Sequence, residues 1–172
     1  MAKKQKKTSE SCVTMTELVL PNDTNTLNNL MDGRLMHWMD IVSAIAAQKH
    51  SNRIVVTASA DNISFNNPIQ LGDVVTLEAK VTRAFSSSME VYLEVYAENI
   101  PSGKKLKSHS AFFTFVAVDQ GGRPIDVPEL VPENDEEQEL YAGALRRRQL
   151  RLVLAKKMKP EEANELKSIF DA

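Results

Sequence analysis

The spacing of apolar residues changes along this chain, and the changes mark out its elements. Val75, Leu77, Ala79 and Val81 alternate with Thr76, Glu78, Lys80 and Thr82, the period of two of a half-buried strand. Met89, Val91, Leu93, Val95 and Ala97 alternate in the same way with Glu90, Tyr92, Glu94, Tyr96 and Glu98. Phe85-Ser86-Ser87-Ser88 between the two suits a hairpin turn or bulge. β-Branched and small residues predict another strand over Ile54–Phe65. After the turn composition Pro101-Ser102-Gly103-Lys104, residues 106–118 predict one more, rich in Phe112, Phe113, Phe115 and Val116. Upstream, residues 13–20 suit a strand that stops at Pro21, and the Asn- and Asp-rich stretch after it predicts an irregular loop.

Between that loop and the later strands, residues 33–49 hold no internal glycine or proline and are apolar on nearly every side, which predicts a buried helix. The order is then one strand, one long helix and an antiparallel meander, an α+β arrangement with the sheet wrapped around the helix. One sheet cannot cover such a helix on all sides, so a second subunit is expected beside it. Pro128 and Pro132 mark a linker, and helical patterns follow over Asp135–Leu154 and 160–170. The expected organisation is a basic disordered tail over 1–10, a domain over 11–127, and a linker with C-terminal helices over 128–172.

Composition narrows the function. With 21 Lys+Arg against 23 Asp+Glu, the chain lacks the basic excess that phosphate-backbone binding demands, so nucleic acid is not an expected ligand. No apolar run approaches the roughly 20 residues of a membrane span. Cys12 is the only cysteine and is expected as a buried thiol, which excludes an internal disulfide and suits the cytoplasm. Glycine-rich phosphate loops, paired-cysteine motifs and HExxH are absent, and His37, His50 and His109 are scattered, so no metal or redox cofactor is expected.

Asp40 interrupts the apolar helix, where an unpaired carboxylate costs several kcal/mol unless it has a use. Two bland readings compete: a polar stripe with Arg34, His37 and Ser43, or a His37–Asp40 pair at i, i+3. The stripe drifts through about 180° and is no single face. Gly33 starts the helix, where first-turn N–H groups and the dipole polarise a carbonyl or phosphate, the logic of an oxyanion hole. Glycine there also serves plain backbone freedom, and Asp32 suits an N-cap.

Pro21-Asn22-Asp23-Thr24-Asn25, then Leu35-Met36-His37-Trp38-Met39-Asp40-Ile41-Val42-Ser43-Ala44-Ile45-Ala46-Ala47, resembles the signature of the hotdog acyl-CoA thioesterases. Val55-Val56-Thr57-Ala58-Ser59, Phe65-Asn66-Asn67-Pro68-Ile69, Gly72-Asp73 and Ser88-Met89-Glu90-Val91 extend it in order, over residues 14–118. The resemblance implies hydrolysis of fatty acyl-CoA to acid and CoA at a dimer interface, in a dimer or a trimer of dimers, with CoA as product and no cofactor. It implies Asp40 as catalytic carboxylate, Asn25 arriving from the neighbouring subunit to orient water, and the Gly33 N–H receiving the thioester oxygen. Thr57, Ser59, Ser86, Ser87, Ser88 and Met89 would border the pantetheine and nucleotide of CoA. Arg146, Arg147, Arg148 and Arg151 suit a solvated helix face better than a phosphate site. The sequence departs from the family at Asp32, where a Gly-Gly pair is usual, which places a negative charge beside the oxyanion hole. The alternatives are a non-catalytic acyl-CoA sensor on the same fold, which retention of both Asn25 and Asp40 disfavours, and a dehydratase, which would want a histidine where this loop supplies asparagines.

Overall fold

The computed structural model describes Lys4 to Phe170. Its elements are β1 (Gln5–Lys7), β2 (Val13–Leu18), α1 (Asp32–Ser51), β3 (Ile54–Phe65), β4 (Val74–Ala84), β5 (Ser88–Asn99), β6 (Lys104–Val118), β7 (Glu129–Val131), α2 (Asp135–Leu154) and α3 (Asn164–Lys167). Five strands make one antiparallel sheet in the order β2-β4-β5-β6-β3. The alternation read from sequence becomes its two faces: Val75, Leu77, Val91, Leu93, Phe113 and Phe115 turn inward and are buried. Residues up to Val131 form one compact unit, and a second begins at Pro132.

Against the inner face lies α1, and it is buried on one side only. Leu35, Trp38, Met39, Val42, Ala46 and Ala47 enter the core, whereas Ile41 and Ile45 stay 37% and 39% exposed. Positions 33, 37, 40, 41, 44, 45 and 48 fall within an arc of about 140° on a 3.6-residue helix, and this arc is the open side. The helix read as apolar all round thus keeps an apolar face that its own sheet does not reach. Among the described residues edge strand β3 pairs with β6 alone, and Ile54 and Val56 are 60% and 50% exposed.

Several expectations are corrected. Gln5–Lys7 is not a solvated tail but pairs in parallel with β7, and Lys6 Nζ caps the C-terminus of α1 by donating to Lys49 O (2.7 Å) and Asn52 Oδ1 (2.6 Å). A cation at a helix C-terminus satisfies orphan carbonyls and complements the dipole, which is why this lysine-rich stretch is ordered. The compact unit that holds the sheet runs to Val131 and so takes in β7. Cys12 is exposed rather than buried, its Sγ near the Thr8 carbonyl. Asp32 is the first helical residue and not the cap; Met31 takes the cap position without a side-chain bond.

In the second unit, α2 is capped by the Asn134 side chain accepting from Glu137 N–H (2.9 Å), and three acids occupy its first turn. Residues 160–170 do not form one helix: a 3-10 turn over Pro160–Glu162 precedes the single turn of α3. The Arg147 guanidinium folds back to donate to Leu140 O (2.6 Å).

His50, wholly buried at the end of α1, places Nε2 2.9 Å from Pro128 O, while Nδ1 has no partner. Burial pushes its pKa down, against the Pro128 hydrogen bond that pushes it up. Because the unfolded chain takes up the proton more readily, stability is greatest above histidine's ordinary value and falls as pH drops through it. Urea midpoints should therefore decline from pH 7.5 to 5.5, and His50→Gln should flatten part of that decline.

Candidate functional site

The open face of α1 holds the candidate groups. The Asp40 carboxylate is half-buried, and its Oδ1 accepts a 2.8 Å hydrogen bond from the Thr57 hydroxyl on β3. His37 does not pair with it, Arg34 leaves the helix surface to bond Asp23 (Nε to Oδ1, 3.0 Å), and Ser43 is buried. The polar stripe and the His37–Asp40 pair are therefore not what the helix makes. With Oδ1 engaged by this donor, Oδ2 is the carboxylate oxygen left for other chemistry.

Strand register brings Thr57 to Asp40, and a β-bulge just after it turns Ser59 away. Across the sheet Thr57 pairs with inward-facing Phe115, yet Ser59 pairs with Thr114 on the outer face, the register shifting between them. Residues two apart ordinarily share a face, and one extra residue at Ala58 separates them. Ser59 accordingly donates outward to Asp61 (2.7 Å). Ser86 and Ser87 form the β4–β5 turn and Ser88 opens β5; Phe85 N–H bonds Ser88 O, and the Ser86 and Ser87 carbonyls receive Val127 and Ala117 N–H. Met89 faces the core, fully buried, and is not open to a ligand in this chain.

Gly33 is exposed in the first turn of α1. The earliest helical bonds are those of Arg34 and Leu35 N–H to Met31 O, so the Asp32 and Gly33 amides lie outside the ladder at the positive end of the dipole. Gly33 and Asp40 share a face but stand about 10.5 Å apart along the axis.

Asn25 sits in the loop that leads into Gly33. Its Oδ1 accepts from Leu27 N–H (2.9 Å) and Asn29 N–H (3.2 Å), a local turn that fixes the amide's orientation. Both acceptor sites face the loop, so Nδ2 is the group Asn25 offers outward, a donor. The loop is stitched in place by Leu30 N–H to Ile69 O (2.7 Å), Leu71 N–H to Asn28 O (2.9 Å) and an Asn29–Gln70 bridge. Gly72, at φ +85°, makes the turn that carries this support, and buried Asp73 accepts from Gln70 N–H (2.9 Å). Asp23, Gly72 and Asp73, among the residues that carry the family resemblance, hold the Asn25 loop. The Thr57 hydroxyl, expected along CoA, gives its proton to the Asp40 carboxylate.

The profile of the Thioesterase superfamily matches residues 27–104. An uncharacterised acyl-CoA thioester hydrolase of Bacillus subtilis is 43% identical over 138 residues, 80% of each chain. The chain belongs to the thioesterase superfamily. It is a hotdog-fold enzyme: a hexameric acyl-CoA thioesterase superposes with a TM-score of 0.86 at 38% identity, covering 88% of this chain and 97% of that one. The acyl-CoA hydrolase of Staphylococcus aureus, solved with butyryl coenzyme A and coenzyme A, gives 0.82 at 36%, covering 89% and 95%. Variants of that hydrolase with an asparagine, an aspartate or a threonine replaced by alanine have also been solved, and the three positions are 15 and 17 residues apart. Mouse acyl-coenzyme A thioesterase 11 is 39% identical over 147 residues, but this chain spans only 25% of its length. Among the described residues no helix is long and apolar enough to cross a membrane.

Proposed function

We propose that this thioesterase hydrolyses fatty acyl-CoA to free acid and CoA, in a site completed by two copies of the chain. The observation that carries the proposal is the Thr57–Asp40 hydrogen bond on the open face of α1, which holds a half-buried carboxylate with one oxygen free. Supporting it, Asn25, Asp40 and Thr57 repeat the spacing of the three residues replaced in the staphylococcal enzyme, since 40 − 25 = 15 and 57 − 40 = 17.

In this scheme Asp40 Oδ2 takes a proton from water as the water oxygen attacks the thioester carbon. The Gly33 amide and Asn25 Nδ2 receive the carbonyl oxygen as it gains charge. Collapse breaks the C–S bond, and the proton held on Asp40 passes to the departing sulfur. With its own oxygen committed to the loop, Asn25 acts in this scheme as a donor to the oxyanion. Asn25 and Gly33 are linked through one supported loop and travel together. The separation of Gly33 from Asp40 along α1 favours a site in which Asp40 and Thr57 come from one chain and the two donors from its partner.

The exposed Ile41 and Ile45 and the open edge of β3 are the surfaces a second copy covers, giving a dimer; a trimer of dimers is the form that agrees with the hexameric neighbour. A single cysteine and a cytosolic setting agree. No metal or redox step enters the scheme. Thiol release from fatty acyl-CoA by the purified chain tests the reading, and tight CoA binding with no release would favour a sensor instead.

Asp32 adds a specific expectation. Its charge stands one residue before the Gly33 amide and opposes negative charge growing there, while burial holds the His109 pKa down and Asp32 pulls it back up. Asp32→Asn should raise kcat about tenfold, because removing a charge close to an oxyanion acts through a partly screened field. Steady-state kinetics at low and high salt check this: the gain should shrink as salt rises.

A further inference from the structure

Asp23 gathers both ends of the loop that carries Asn25. Its side chain is 9% exposed, and each of its polar groups holds something different. The Oδ2 atom accepts from Leu20 N–H (3.0 Å) and the Asp23 N–H donates to Leu20 O (2.9 Å), while Leu20 follows Val19, which is buried and bonded to Gly72 and Asp73. Asp23 is therefore a fixed post. From the other side its carbonyl accepts from Met31 N–H (2.9 Å), and its Oδ1 meets Arg34 Nε at 3.0 Å. The start of α1 is thus drawn back to the start of the loop, and Asn25 and Gly33 both lie within the closed span 23–34. The bonds of Leu30 to Ile69 and of Leu71 to Asn28 steady the far side of that span, so the tie between α1 and Asp23 falls to Met31 and Arg34. Of these two, Arg34 is the one that acts through its side chain.

Resting on the hydrolase reading above, we propose that Arg34 is a positioning residue for the oxyanion: by gripping Asp23 it sets the separation between the Gly33 amide and Asn25 Nδ2. Two donors serve one oxygen only when each stands about 2.7–3.1 Å from it, a tolerance that a drifting loop soon exceeds. Arg34 shares the first turn of α1 with Gly33, and its own N–H bonds Met31 O, so a hold on its side chain is a hold on the Gly33 peptide. An ion pair between two exposed groups would do little. This one is anchored in a buried carboxylate, which without its cation must reach for water and open the base of the loop. Arg34 meets no reacting atom in this arrangement and acts through Asp23.

The test is steady-state thiol release from fatty acyl-CoA by wild type, Arg34→Met, Arg34→Lys, Asp23→Asn and the Asp23→Asn/Arg34→Met double variant, each with a denaturation midpoint. Arg34→Met should lower kcat about 30-fold, because the donors are loosened rather than removed and a misplacement of about 1 Å costs up to roughly 100-fold. Its KM should stay within about twofold of wild type, since the bond that is lost matters to the oxyanion and not to bound substrate. Arg34→Lys keeps the cation but not the planar fork, and should recover to within about fivefold of wild type. The double variant should be no slower than Arg34→Met alone, as two residues that make one tie are not additive. A higher KM at unchanged kcat would make Arg34 a substrate contact and overturn the proposal. So would additive losses in the double variant, a kcat for Arg34→Met within threefold of wild type, or a kcat loss that Lys does not relieve and that follows a fallen denaturation midpoint. Each of these leaves the hydrolase reading standing, whereas no release by wild type from any thioester removes that reading itself.

Discussion

Replacing Asp40 with Asn should lower kcat on fatty acyl-CoA by about 1,000-fold, with KM little changed. General-base assistance contributes roughly 10²–10⁴ in rate, and Asn keeps the shape of Asp while losing its basicity. The Thr57 hydroxyl can still donate to the amide oxygen, so the crevice keeps its geometry and the loss reports chemistry. Stopped-flow or coupled thiol assays measure the loss, and a chemical-denaturation curve matching wild type shows that folding is not the cause. A decline under tenfold would remove Asp40 from the reaction. Single turnover in heavy-oxygen water separates base from nucleophile. A base leaves no label in the protein, whereas a carboxylate that attacks the thioester acquires one when its anhydride is hydrolysed at the Asp40 carbon.

The second large effect is expected at Asn25. Asn25→Asp keeps an oxygen for the Leu27 and Asn29 amides, so the loop should survive. It replaces the outward N–H with a charged oxygen, and removal of one oxyanion donor costs about 10²–10³ in kcat. If Asn25 merely shaped the loop, Asn25→Asp would be nearly silent, which is the outcome that rejects the donor role. Because Asp40 and Asn25 are assigned to opposite chains, the two inactive variants should complement each other. In an equal mixture half the dimers are mixed, and in each of these one of the two sites is intact, so about a quarter of wild-type activity should return. No recovery after exchange of subunits would place both residues in one chain.

How much of this was legible before the coordinates depends on which signals are local. Strand alternation over 75–82 and 89–98 needs only the pleat, and both strands lie where the pattern put them. The one-sided burial of α1 was not legible, because an apolar face awaiting a partner has the same sequence as one sunk in its own core. Asp40 stood out as a charge among hydrophobes, but its partner did not. Which of Thr57 and Ser59 faces it is decided by the bulge at Ala58, and a bulge leaves no periodic trace when the neighbours are small and β-branched. Nor could spacing show which end of the Asn25 amide faces the crevice, since that follows from two loop amides whose direction the fold sets. The ordering of Gln5–Lys7 was hidden for a similar reason: a lysine-rich stretch reads as solvated until a helix terminus appears within reach of Lys6.

The free edge of β3 has a consequence for the protein's life in the cell. A twelve-residue strand with one unbonded side is a template for any extended segment, so a newly made chain is most prone to aggregate before it meets another copy. The time spent alone depends on how many copies are present, and turnover per chain should therefore drop on dilution. Scarce expression would then diminish output twice, through fewer molecules and through a smaller fraction of them being assembled.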